Sequence, residues 1–289
     1  MRLFTIEKDS KELVAVMTQE GMLPLNLLGL NVKDMNDLIV RFDELSSAID
    51  SGIKEHGSKA LKSEEYTILA PVPVPMQDVI CLGVNYKSHI EETVDVLDFT
   101  KKKDTVYFSK RVNRAGNPGA DIPNYDFVDS LDYEVELGVV LKKDAFQVSV
   151  DEAFEYILGY TIINDVSARN LQLRHQQWYL GKSLDGYTPM GPCIVTADEI
   201  GDAHDLTIEC YVNEEKRQSS NTALMITTVE EAISELSQGI TLKAGTIIAT
   251  GTPGGVGMGM NPPKFLNAGD KIRCVIEKIG TLENTVASR

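Results

Sequence analysis

Residues 131–141, LDYEVELGVVL, read as one half-buried β-strand with an anomaly on its polar face. Tyr133, Val135, Leu137 and Val139 alternate as an apolar face, the period of two that a strand requires. Asp132, Glu134 and Glu136 fall on the other face, which Val140 returns to a buried character. Side chains two apart point the same way, so Glu134 and Glu136 stand together and repel unless something positive lies between them. Taken alone, such a pair is most simply a solvent-facing strand edge. The segment YTIINDVSARN, residues 160–170, changes that reading, because its apolar strand closes on Asp165. Three carboxylates from two strand regions make a facial oxygen set suited to Mg²⁺ or Mn²⁺. The absence of Cys and His among them argues against zinc.

Strands dominate the chain around these segments. DVICLGV (78–84), TVYFSK (105–110), GPCIVTA (191–197), LTIECYV (206–212), GTIIATG (245–251) and DKIRCVIEKI (270–279) all carry strand character. Helices are fewer. SVDEAFEYI opens with the capping-box pair Ser149 and Glu152, and TTVEEAISELSQG with Thr228 and Glu231, stopping at Gly239. VNEEKRQ is a hairpin candidate. The fold class is therefore α+β, mostly β, and no strand leads through GxGxxG into a helix, which leaves a Rossmann reading without support.

Residues 1–69 read as a small N-terminal accessory domain: MRLFTI suits a first strand, and Met35, Leu38, Ile39, Phe42, Leu45 and Ile49 share one helical face. Residues 70–77 form a Pro-rich linker with Pro71, Pro73 and Pro75, and cannot be a central strand. Residues 78–289 then form the catalytic domain.

Among 289 residues, 28 are basic and 43 acidic, a formal charge of −15. That excludes nucleic acid as the expected partner and disfavours an anionic membrane surface. The N-terminus carries no apolar signal segment, and no apolar run approaches the ~20 residues that span a bilayer. Cys81, Cys193, Cys210 and Cys274 are scattered among apolar neighbours, so buried free thiols in a reducing, cytoplasmic setting are expected.

Other residues could carry chemistry. His89 and Glu92 are three apart in NYKSHIEE, so in a helical turn the carboxylate can orient the imidazole as a general base. The alternative is a chance surface pair in a charged segment. His56, His175 and His204 lie in polar surroundings and read as solvated. Lys182 either snorkels from a core edge or, near the three carboxylates, helps hold an anionic substrate. GTPGGVGMG, residues 251–259, lacks the GK[ST] of a P-loop, but its backbone N–H groups can cradle a carboxylate.

GVNYKSHIEE, DYEVELGVV, GYTIINDVSARNLQ, GKSLDGYTPMGP and IIATGTPGGVG together resemble, in order and character, the signature segments of the fumarylacetoacetate hydrolase family. The likeness runs from about Asp78 to the C-terminus. It implies a mixed β-roll catalytic domain, a homodimer, and Mg²⁺ or Mn²⁺ held by Glu134, Glu136 and Asp165. The acylpyruvate hydrolase branch carries an HxxE dyad matching His89 and Glu92. Gln172 and Lys182 match residues that touch metal-bound water or substrate, and Gly251 and Thr252 lie in the TGTP turn that contacts the substrate carboxylate. Two positions depart from the pattern: Val84 stands where many relatives carry Arg or Lys, and Asn170 where Asp is common.

The resemblance implies a divalent-metal-dependent enzyme that cleaves a carbon–carbon bond of a 2-oxo acid through an enolate, with His89, Glu92 and Lys182 as catalytic residues. Acylpyruvate or fumarylpyruvate hydrolysis and oxaloacetate decarboxylation both fit. An isomerase or hydratase of a 2-oxo or 2-hydroxy dienoate is the alternative within the family, and a silent scaffold protein the alternative outside it.

Overall fold

The computed structural model describes residues 1–97 and 105–288. In chain order its strands are Arg2–Lys8 (β1), Lys11–Met17 (β2), Met22–Pro24 (β3), Thr67–Ile68 (β4), Val79–Gly83 (β5), Val106–Lys110 (β6), Asp121–Ile122 (β7), Leu131–Asp132 (β8) and Val135–Leu141 (β9). They continue with Ile157–Asn164 (β10), Ser167–Ala168 (β11), Met190–Thr196 (β12), Thr207–Val212 (β13), Glu215–Asn221 (β14), Ile247–Ala249 (β15), Lys271–Ile276 (β16) and Gly280–Val286 (β17). The helices are Met35–Val40 (α1), Phe42–His56 (α2), Lys87–Leu97 (α3), Arg169–Arg174 (α4), Tyr179–Lys182 (α5), Ala197–Ile200 (α6) and Val229–Ser237 (α7).

Ten strands form one mixed sheet in the order β3-β2-β1-β12-β10-β9-β15-β5-β6, with β4 on β1. A second sheet of five runs β14-β13-β16-β17-β7. The N-terminal segment joins the large sheet through a short register, Arg2 with Val195 and Leu3 with Ile194. Its expected helical face is buried as drawn, at Met35, Leu38, Ile39, Leu45 and Ile49, but the helix is broken into α1 and α2 at Arg41.

The strand at residues 131–141 differs from its reading in two ways. It is buried on both faces, because Val135, Leu137 and Val139 enter one core, Val140 enters the opposite one, and the glutamate face is covered by charged partners. It is also interrupted between β8 and β9. There the N–H of Glu134 donates to Asn164 Oδ1 (3.0 Å) and that of Val135 to Gln218 Oε1 (3.1 Å), so side-chain amides replace the ladder. The four cysteines are free and buried. Among the described residues, no helix is long and apolar enough to cross a membrane.

The two expected capping boxes have different outcomes. Thr228 and Glu231 bond reciprocally and start α7. Ser149 bonds Glu152 (2.6 Å), yet only a 3₁₀ turn, Ala153–Tyr156, follows, because β10 draws the chain into the sheet at Ile157.

His204 is not simply solvated: its Nε2 lies 2.6 Å from Glu230 Oε2, tying the β12–β13 connection to the start of α7. That bond raises the imidazole pKa against the opposing effect of burial. A raised folded-state pKa contributes stability that is complete below the unfolded value of ~6.5 and is lost as pH rises through the folded value. Thermal melting compared between wild type and His204→Gln should therefore show a gap that closes as pH rises through this window; a pH-independent gap would refute the ion pair.

Candidate active site

Two neighbouring parallel strands, β5 and β15, deliver half of the site from adjacent ends. After β5 the chain passes Val84 and enters α3, which carries His89 and Glu92. After β15 it becomes the glycine-rich loop 251–259. The antiparallel pair β9 and β10, in register at Glu136 with Ile163, delivers Glu134, Glu136 and Asp165. The segment following β10 turns back as α4 and α5, bringing in Arg169, Gln172 and Lys182.

The expected carboxylates do converge. One oxygen from each of Glu134, Glu136 and Asp165 lies within 4.8 Å of the others, and all three residues are buried. Lys182 Nζ bridges Glu134 Oε2 (2.7 Å) and Asp165 Oδ2 (2.8 Å). Two further cations, Lys110 and Arg169, escaped the sequence reading. Lys110 pairs with Asp165 Oδ1 and donates to the carbonyls of Val166 (3.1 Å) and Tyr187 (2.9 Å). Arg169 joins Asp132 (2.9 Å) to Glu134 (2.7 Å) and donates to Gln172 Oε1 (2.9 Å). Lys110 closes an apolar strand and Arg169 starts α4 directly after β11, so neither carried a sequence pattern beyond a charge beside buried residues.

These three cations face Asp132, Glu134, Glu136 and Asp165, which leaves one carboxylate over. Burial alone would raise Glu134, but Lys182 and Arg169 outweigh it and hold that carboxyl well below its usual range. Glu136 goes the other way: burial, then Asp165 and Glu134, push it well above. Among the described residues no cation pairs with it, and the N–H of Gly251 donates to its Oε2 (2.9 Å). A buried, repelled carboxylate at the edge of an all-oxygen cluster is the environment a hard divalent cation would complete. Burial lowers the Lys182 pKa, but Asp165 and Glu134 outweigh it and shift it upward, which favours the ammonium form.

His89 and Glu92 form the expected dyad, Nδ1 to Oε1 at 2.8 Å, with His89 only 5% exposed. Glu92 Oε2 in turn accepts from the N–H of Gly255 (2.6 Å). The glycine-rich loop does cradle carboxylates, but they are the protein's own: Glu136 at Gly251, Glu92 at Gly255, and Asp132 at Gly257 (2.7 Å) and Met258 (3.0 Å). Gly255 needs its freedom, since its φ is +108° and an added Cβ would sit 1.9 Å from the Arg217 carbonyl oxygen. Gln218 is another group that the sequence did not betray. Besides Val135, it binds Thr252 Oγ1 (2.7 Å) and the Pro253 carbonyl (2.8 Å).

His89, Glu134, Glu136, Gln172, Lys182 and Thr252 all line one cleft. Gly251 lies behind it and orients Glu136. The Thr252 hydroxyl donates to the Val135 carbonyl (2.9 Å), so that proton is already committed. Val84 also lines the cleft, with a φ of +52° that a β-branched residue seldom adopts. Asn170 points elsewhere, to the Phe127 carbonyl (2.9 Å).

With this geometry in hand, similarity to known proteins is informative. The profile described as Fumarylacetoacetate (FAA) hydrolase C-terminal matches residues 78–287. Oxaloacetate tautomerase YisK of Bacillus subtilis is 43% identical over 233 residues, covering 80% of this chain and 77% of that one. The structure of a fumarylacetoacetate hydrolase from Exiguobacterium antarcticum superposes with a TM-score of 0.84 at 36% identity, covering 100% of both chains. A probable 2-hydroxyhepta-2,4-diene-1,7-dioate isomerase from Mycobacterium abscessus gives 0.80 at 26% identity, covering 100% of this chain and 99% of that one.

Replacing Lys110 by Met leaves Asp165 with Lys182 as its sole cation. Removing one partner of a buried ion pair costs about 3–5 kcal/mol. Lys110→Met should therefore melt well below wild type in calorimetry, and an unchanged transition would show that Asp165 does not depend on this cation.

Proposed function

This chain belongs to the fumarylacetoacetate hydrolase family, and we propose that it is an enzyme acting on a small 2-oxo acid, moving a proton at the carbon next to the 2-oxo group. One observation carries the reading: His89, oriented by Glu92, opens into the same cleft as Glu134 and Glu136 of a buried carboxylate triad. Glu134, Glu136 and Asp165 would hold Mg²⁺ or Mn²⁺, and the unpaired Glu136 is the sign that they fit it. Such an ion would supply Lewis acidity toward the substrate's carboxylate and 2-oxo oxygens.

The chain's own residues then divide the work. Glu92, fixed by the N–H of Gly255, engages His89 Nδ1 and leaves Nε2 as the atom that takes the C3 proton and passes it to the 2-oxo oxygen to complete the enol, the reverse transfer regenerating the ketone. The imidazolium formed in that step is stabilised by Glu92. Lys182, held protonated, offers positive charge beside the oxygen on which the enol develops, and Gln172, turned by Arg169, presents its amide to the same space. Keto–enol interconversion needs nothing more than this proton relay. The tautomerase relative at 43% identity favours it.

Carbon–carbon bond cleavage is the second reading, favoured by the hydrolase neighbour at 36% identity. The same base would then act on a water rather than on carbon. The two readings separate by product, since tautomerisation of oxaloacetate releases no pyruvate.

Two measurements test the proposal. Glu136→Gln keeps the shape but removes the unpaired charge, so calorimetric Mn²⁺ affinity should collapse while the fold persists; undiminished binding would sink the triad. His89→Ala should slow enol–keto exchange by about 10²–10⁴-fold with Mn²⁺ affinity intact. Exchange at the wild-type rate would remove His89 from the mechanism.

A further inference from the structure

The cleft has two chemically distinct halves. One is charged and polar, formed by His89, Glu134, Glu136, Arg169, Gln172 and Lys182. The other is apolar: Leu82, Gly83, Val84, Phe108 and Trp178. Resting on the functional reading above, the carboxylate and 2-oxo end of the substrate belongs to the charged half, so whatever is attached at C3 must lie against the apolar one.

Trp178 dominates that wall. Residues 173–180 are an exposed excursion between the body of α4 and α5, with Leu173, Tyr179 and Leu180 facing outward, and the indole alone turns inward. It packs edge-on against Phe108, centroids 5.1 Å apart at 69°. It also sits on Gly83 so closely that a Cβ there would lie 2.6 Å from its ring. A side chain at residue 83 would push the ring from its seat. Phe108 in turn presents its face to Lys182 Nζ at 5.3 Å, which ties this wall to the charged half.

We infer that Trp178, seated on Gly83 and Phe108, determines specificity by limiting the size of the group carried at C3 of the 2-oxo acid. The wall is apolar, so it discriminates by fit, and one methylene too many or too few in such a pocket is worth roughly 10–200-fold.

The test is calorimetric binding, with Mn²⁺ present, of pyruvate, 2-oxobutanoate, 2-oxopentanoate and 2-oxohexanoate to wild type, Trp178→Ala, Trp178→Phe and Gly83→Ala. Wild-type affinity should fall by about tenfold or more for each methylene beyond 2-oxobutanoate. Trp178→Ala should flatten the series, binding 2-oxohexanoate at least as well as 2-oxobutanoate, with Trp178→Phe between the two. Gly83→Ala, which drives the indole off its seat into the cleft, should weaken the whole series and the longest member most. A folded Trp178→Ala protein that keeps the wild-type length dependence overturns the assignment of Trp178 while leaving the 2-oxo acid site standing. Failure of wild type to bind any of the four overturns the site reading, and this inference with it.

Discussion

Four carboxylates buried within reach of one another are the constraint on which the rest of the site depends. Each anion removed from water without a partner carries a desolvation cost of several kcal/mol, and mutual repulsion adds to it. Asp132, Glu134 and Asp165 are therefore matched by Arg169, Lys182 and Lys110, each brought in by a different element. Strand β6 ends where Lys110 meets Asp165, and α4 and α5 fold back over the sheet so that Arg169 and Lys182 cover the glutamate face. The leftover anion, Glu136, gives the cluster its chemical appetite.

The second organising device is a row of backbone N–H groups. The glycine-rich loop after β15 donates to Glu136, Glu92 and Asp132 in turn, so one short segment aims the His89–Glu92 pair and braces the carboxylate cluster together. Side chains on such a loop would collide with the groups it must approach, as the Cβ test at Gly255 shows. Asn164 and Gln218 complete the bracing by taking the backbone N–H groups of Glu134 and Val135 out of the β-ladder. The break between β8 and β9 is thus where the sheet gives up regularity to point two glutamates at one place.

Much of this was legible in the sequence, and the limits have physical reasons. Paired carboxylates on a strand, a His and Glu three apart at a helix start, and Thr228 with Glu231 are local patterns whose spacing encodes their geometry. Burial is not local. Residues 131–141 showed one polar face, and nothing in their spacing revealed that two distant cations would bury it. Lys110 at the end of an apolar strand reads the same whether it snorkels or pairs inward. Ser149 and Glu152 met as their spacing implied, but the serine hydroxyl donates to the carboxylate instead of accepting the Glu152 N–H, and β10 claimed the chain within one turn. The amides of Asn164 and Gln218 act across the fold, on backbone groups far away in sequence.

Trp178 is the chain's only tryptophan, and it stands in the wall of the cleft against Phe108. The intrinsic near-ultraviolet emission of the whole protein is therefore reported from one place. Ten tyrosines contribute at shorter wavelength, so red-edge excitation isolates the indole without a label or a mutation. The ammonium of Lys182 lies across the Phe108 ring from it, which makes that emission sensitive to charge rearranged at the carboxylates as well as to contact at the wall. The molecule carries its own optical probe in the wall of its candidate site.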